Sequence, residues 1–233
     1  MIDDLAKTLT AAARGGFPPA DGSVSVLPPV SERDWGVISF SGCAVVFAEV
    51  TAAWVHARLA PGDLAGPLSP SFLGALAART GREIENIDLL TVAGPLPGPP
   101  PVALRETRDP AHPRIARALR HRDGVRAWTA DGEGSAVVVG RGVAGRWEVA
   151  FEVAEAARGR GLGRRLAAAG RHLVPPGEPV WAQVAPANAA SVRALLAAGF
   201  VPVGAEALLK QNRYGERPMH TGTGPQPRHV PGE

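Results

Sequence analysis

Residues 94–101 read GPLPGPPP. Proline fixes φ and lacks an N–H, so five prolines and two glycines in eight residues cannot continue a helix or a central strand. The segment is expected to be an extended, semi-rigid connector, and it is the strongest candidate domain boundary in the chain. It divides 233 residues, a length that suits one or two domains.

Ahead of it, residues 1–21 read as an N-terminal helix and loop. Ile2, Leu5 and Leu9 recur at helical spacing over 2–13, and Gly15-Gly16 stops the pattern. Residues 22–93 form an α/β region of unassigned role. Its expected strands are Val37–Phe40 and Cys43–Phe47 around Ser41-Gly42, and Ile87–Ala93. Its expected helices are Ala52–Leu59 and Ser71–Thr80, the second capped by Ser69 or Ser71. This region either adds strands to the sheet of the second half or closes one wall of an acceptor site. Behind the connector, residues 102–210 predict a basic helix over His112–Arg122 and strands at Val125–Thr129 and Ser135–Arg141 around Asp131-Gly132. A strand at Trp147–Val153, a helix over Gly161–Val174, a strand at Val180–Val184 and a helix over Ala189–Ala198 follow. Phe200–Leu209 closes the order as a strand or pair. Residues 211–233, rich in Gly, Pro, Arg and His, predict a disordered tail.

Apolar residues make up 45% of the chain, which excludes wholesale disorder. No apolar stretch reaches the length of a membrane span, and the acidic start MIDDLAKTLTAAAR lacks the order of a signal peptide. One cysteine, Cys43 in an apolar run, suits a reducing cytoplasm. The six histidines show no metal-ligand spacing, so no metal is expected. The charge is uneven: 1–101 carries 6 basic and 10 acidic side chains, whereas 102–175 carries 14 and 8. That central excess suggests an anionic partner, although the scarcity of lysine also fits the bias of a GC-rich genome.

The densest chemistry lies in WEVAFEVAEAARGRGLGRRLAAAGRHL, a strand, a glycine-rich turn and a helix. Such a turn exposes unpaired N–H groups at the positive end of a helix dipole, which suits phosphate. Arg158, Arg160, Arg164 and Arg165 surround Gly159, Gly161 and Gly163 and could contact phosphate oxygens. The dinucleotide pattern fails at Arg164, and no G-K-S/T follows. The spacing R-x-x-G-x-G at Arg158, Gly161 and Gly163 resembles instead the acyl-CoA motif of the GNAT superfamily of N-acetyltransferases. NAASVRALLAAGF is similar to that family's second motif, with Asn188 opening a helix and Gly199-Phe200 closing it. The strand from Glu148 to Val153 matches upstream, so the resemblance covers roughly 105–210.

The resemblance implies an α/β fold with a GNAT-type mixed central sheet and flanking helices, preceded by the smaller α/β region. It also implies acetyl-CoA as cofactor and transfer of its acetyl group to an amine by direct attack. In that family two parallel strands, here Trp147–Val153 and Val180–Val184, splay apart beside a bulge to hold the cofactor. N–H groups near Phe151 and Val153 would bond pantetheine and polarise the thioester. Residues 158–164, including Leu162, would hold the pyrophosphate. Asn188 would bond the pantetheine arm, with Ser191 and Arg193 facing the same way. Glu148 is the first candidate base and Glu152 the second; alternatively, both pair with arginines such as Arg126 or Arg141. The family's tyrosine seven residues after the Asn is replaced by Leu195, and the only tyrosine is Tyr214. That position therefore supplies no phenol to protonate the leaving thiolate.

The acceptor would be a small-molecule or peptide amine, no membrane partner is expected, and a homodimer is left open. Leu195 keeps a non-catalytic acyl-CoA-binding regulatory domain as the alternative. Nucleic acid is disfavoured because aromatics are scarce and not interleaved with the basic residues. Trp181 and Gln183 could line the cleft. His172 reads as a helix-end cation, and Trp35 and Trp54 read as core.

Overall fold

The structure, a computed structural model, describes residues 2–130 and 134–211. The Asp131-Gly132 turn, Tyr214 and the rest of the tail beyond Gln211 lie outside the described residues. Among the described residues there are ten strands and six α-helices, beginning with α1 (Ile2–Ala13), β1 (Val24–Leu27), β2 (Trp35–Phe40), β3 (Cys43–Phe47), α2 (Ala52–His56), α3 (Pro70–Thr80) and β4 (Arg82–Ala93). After the proline-rich segment come β5 (Leu104–Thr107), α4 (Pro113–His121), β6 (Asp123–Ala130), β7 (Ser135–Arg141), β8 (Trp147–Glu152), α5 (Leu162–Gly170), β9 (Val180–Val184), α6 (Ala189–Ala197) and β10 (Val201–Gln211).

Local signals explain most boundaries. Ser69 caps α3 by accepting the Phe72 N–H, Pro70 occupies the first helical position, and Gly81 ends the helix at φ +65°. His112 Nδ1 accepts the Arg114 N–H to open α4. β1 and β5 were not foreseen: each has only four residues, too few to show an alternation.

All ten strands belong to one mixed sheet in the order β1-β3-β2-β10-β4-β9-β8-β7-β6-β5. Residues 94–101 therefore connect strands of a single sheet, running from β4 near its middle to β5 at its edge. The segment is packed rather than loose. Leu96 N–H donates to Arg171 O at 2.8 Å, Arg171 Nε donates to Gly94 O at 2.8 Å, and His172 meets Gly98 O at 3.0 Å. The 22–93 region contributes strands to the sheet: β4 lies between β9 and β10, and β10 returns between β4 and β2.

Helices α2, α3, α5 and α6 cover one face, around Val37, Val46, Leu76 and Ala207 at one end and Val137, Val149, Leu166 and Phe200 at the other. α1 packs on the opposite face over Ile38, Leu90, Val92 and Trp181. α4 covers Ala127 and Val138 on that same side. No described helix is long and apolar enough to cross a membrane.

Candidate active site

The glycine-rich turn begins where β8 ends. Residues Glu155–Ala157 form one 3-10 turn, and Gly159 and Gly161 then take φ +75° each. A side chain is strained in that left-handed region, which accounts for glycine at both positions. Gly161 opens α5 without any side-chain cap, so the first N–H groups of the helix lack an intrahelical acceptor. Nothing lies within 4 Å of where a Cβ would stand on Gly159 or Gly161. Arg158, Arg160, Arg164 and Arg165 are all exposed around this opening. Leu162 is buried at 3% exposure and anchors the helix in the core. A Cβ on Gly163 would make ordinary contacts with Phe151, Val153 and Ala194.

Beside the turn, the parallel pair β8 and β9 holds for only two residue pairs, Trp147–Val180 and Glu148–Trp181. Beyond them the strands part. β8 stays paired to β7 without a break from Trp147 to Glu152, so the splay forms here without the bulge expected in that strand. Ala154 N–H turns toward β7, donating to Ser135 Oγ at 3.0 Å. Successive N–H groups of a strand point to opposite edges, so those of Phe151 and Val153 face the splay. From there a cleft of about 950 Å³ opens, lined by Ala150 and Phe151 on one side and Ala182, Gln183, Asn188 and Ser191 on the other. It continues across the sheet beneath α4 to Trp35, Asp88 and Lys210.

Glu148 and Glu152 share the α4 face of β8, while Val149, Phe151 and Val153 face α5, as strand alternation requires. Glu148 is 4% exposed. It accepts from Arg122 Nε at 2.8 Å, Arg146 Nε at 2.8 Å and Gln183 Nε2 at 2.6 Å. Burial alone would raise its pKa, but Arg146 and Arg122 more than offset this and hold it at about 2. A carboxylate so stabilised is a poor proton acceptor, so its geometry is that of the alternative reading, in which Glu148 pairs with arginines. Its partners are also not the expected ones: Arg126 pairs with Glu106, and Arg141 with Glu178. Arg146 links Glu148 to the buried Glu206 with Nη2–Oε2 at 2.8 Å, and its guanidinium lies 5.4 Å from the Trp181 ring centroid. Burial pushes Glu206 upward, against the pull of Arg146. Glu152 meets Arg114 at 3.4 Å and is about one third exposed.

Asn188 is exposed and caps α6, accepting the Ser191 N–H at 3.1 Å. Asn188, Ser191 and Leu195 line the cleft, since residues three and seven apart share a helical face. Arg193, two residues past Ser191, is exposed and is not among the residues that line the cleft. Leu195 is 2% exposed within the core. Nothing local in the sequence singles out Asp88, Arg117, Arg120, His121 or Lys210 as site residues, yet all five line the cleft. Only tertiary pairing brings them there.

Among the described residues, no group of His, Cys, Asp and Glu is arranged to hold a metal ion. No protein-family model matches the chain, and no curated protein does. Among solved structures, the chain is similar to a GCN5-related N-acetyltransferase from Kribbella flavida. The identity is 17% and the TM-score 0.39, over 59% of this chain and 63% of that one. It is likewise similar to an acetyltransferase of the GNAT family from Colwellia psychrerythraea, at 11% identity and TM-score 0.39, over 60% and 63%. The chain thus spans less than two thirds of the length of either.

Proposed function

We propose that this protein is an acyltransferase that moves an acetyl group from acetyl-CoA to an amine. The observation that carries the reading is the opening of β8 and β9 after two residue pairs, next to an uncapped helix start ringed by arginines. The residues fit the cofactor. A diphosphate needs several N–H donors and positive charge without a Cβ in the way, and the open space at Gly159 and Gly161 supplies the clearance. A pantetheine arm needs an unpaired strand edge, and β8 offers one in the splay.

The thioester supplies an activated acyl group. The N–H groups of Phe151 and Val153 would hold its carbonyl oxygen, a donor effect of about 3 kcal/mol in such sites. Ala150, Phe151 and the buried Leu195 give that end of the cleft an apolar lining, which strengthens those bonds. Glu148 acts as a positioning residue here, holding Arg122 and Gln183 in place rather than moving protons. The amine nitrogen, having given its ammonium proton to a base, would attack the acyl carbon; as the C–N bond forms the C–S bond would break, and the thiolate would leave with the second proton of the attacking nitrogen as the free thiol.

The ion-paired Glu148 and the leucine at position 195 favour one rival, a domain that binds acyl-CoA without turnover. Calorimetry with acetyl-CoA, followed by transfer to a pooled amine library read by mass, separates the two. Micromolar binding together with acetylated amines is expected. Binding without any acetylated product leaves the rival standing, and no binding removes the cofactor site altogether.

A further inference from the structure

The part of the cleft away from the splay is rich in charge of both signs, with the cations of one helix along its roof. Its roof is α4, PRIARALRH, which carries Arg114, Arg117, Arg120 and His121 and no acid. Arg120 lines the cleft and makes no hydrogen bond or ion pair with any described residue. Arg117 has only a long contact of 3.8 Å to Glu85, a carboxylate already held by Lys210. The crowding of positive charge is felt by His121, which burial, Lys210, Arg117, Arg120 and Arg122 together push down to about 4.

The floor is β4. Asp88 is half-buried there and accepts from Asn86 Nδ2 at 2.5 Å, but forms no ion pair among the described residues. Burial raises its pKa, while Arg117 and Lys210 lie near enough to pull it back. Its cross-strand neighbour Glu206 is taken by Arg146. The floor beneath α4 therefore keeps the Asp88 carboxylate without an ion pair among the described residues, facing guanidinium groups without a full anionic partner. An arginine that ends up buried against a ligand without an acceptor is costly. A neutral-bodied amine would leave the roof unsatisfied, and a polyamine would be repelled by it.

We infer that the acceptor is an amine that also carries an anionic group, a carboxylate or a phosphate, with its ammonium at Asp88 and its anion at Arg117 and Arg120. This rests on the cleft being the acyl-acceptor site. Guanidinium binds both kinds of anion through paired N–H donors, so the two sources are separated by experiment. An ammonium at Asp88 also gives its proton somewhere to go before attack, a role that Glu148 does not fill.

The test uses the whole protein with saturating CoA and two matched pairs of amines, each differing only in the anionic group. One pair is phenylalanine and phenethylamine; the other is O-phosphoethanolamine and ethanolamine. At least one anionic member is expected to bind ten-fold or more tightly than its twin, and the pair in which this happens identifies the anion. The double variant Arg117→Ala/Arg120→Ala should bring that preference close to one, and Arg120→Glu should reverse it. Thermal midpoints confirm that the variants fold. Equal or tighter binding of the neutral twin in both pairs overturns the inference, as does a preference that survives both variants or no binding of any of the four. Acetyl-CoA binding, measured alone, stays the separate test of the cofactor site.

Discussion

Three donors converge on Glu148, and two of them, Arg122 and Arg146, are cations with little contact to water. Removing one partner of a buried ion pair leaves the other charged and unpaired, at a cost of roughly 3–5 kcal/mol. Glu148→Gln is therefore expected to lower stability by about that amount, read as a fall in the denaturant midpoint; a midpoint unchanged from wild type would show the network to be dispensable. The pH dependence has a definite sign. Folding depresses the pKa of Glu148 from 4.5 to about 2. Its stabilisation is therefore complete above about 4.5 and is lost as pH falls toward 2. Glu206, raised by burial, works the other way, with its effect above about pH 4.5, outside the window in which the Glu148 contribution is lost. The stability gap between wild type and Glu148→Gln should thus narrow between pH 4.5 and 2, and parallel curves would refute the assignment. That Glu148 and Glu152 pair with arginines was legible as an alternative reading of the strand. Which arginines was not, because Arg146 reaches Glu148 only after the chain turns through Val143–Gly145 with Ala144 at φ +53°. Gly142 is needed as well, since a side chain there would overlap the Glu148 carboxyl group.

Helix α5 and its turn were readable because their signals are local: alternation in β8, glycines at fixed spacing and a helical pattern behind them. The end of α5 was placed too late, since the helix stops at Gly170 rather than near Val174. Gly170 itself reflects a contact distant in sequence, as Val149 leaves no room for a Cβ there. Two glycine substitutions test the element. Gly161→Val would put a β-branched residue at φ +75°, costing about 1–2 kcal/mol, and fill the phosphate space; acetyl-CoA affinity should fall more than ten-fold in calorimetry. Retained affinity would move the diphosphate elsewhere. By contrast, Gly74 lies mid-way along α3, and a Cβ there would meet nothing within 4 Å. Gly74→Ala should raise stability by about 0.5–1 kcal/mol, seen as a higher thermal midpoint with acetyl-CoA binding unchanged.

At the scale of the molecule, the proline-rich segment marks a change of direction within one sheet. The sequence shows where a chain must break its regular structure but not whether the strands on either side pair again, since pairing partners lie far apart in the chain. β10 is held by β2 on one edge and β4 on the other, and β9 is held by β4. A fragment spanning 102–211 would leave both strands with bare edges. It is expected to show no cooperative thermal transition, whereas a fragment that melts sharply and binds acetyl-CoA would show that the second half stands alone.

The position of β10 also sets a timetable. When β2 and β4 leave the ribosome, the strand that belongs between them has not been made. More than a hundred residues separate the end of β4 from the start of β10, roughly ten seconds at ordinary rates of synthesis. During that interval the unpaired edges of two strands wait open, and neighbouring nascent chains or chaperones meet them first. Slowing elongation over the second half should therefore lower the soluble yield of this protein, even though the sequence and the finished fold are unchanged.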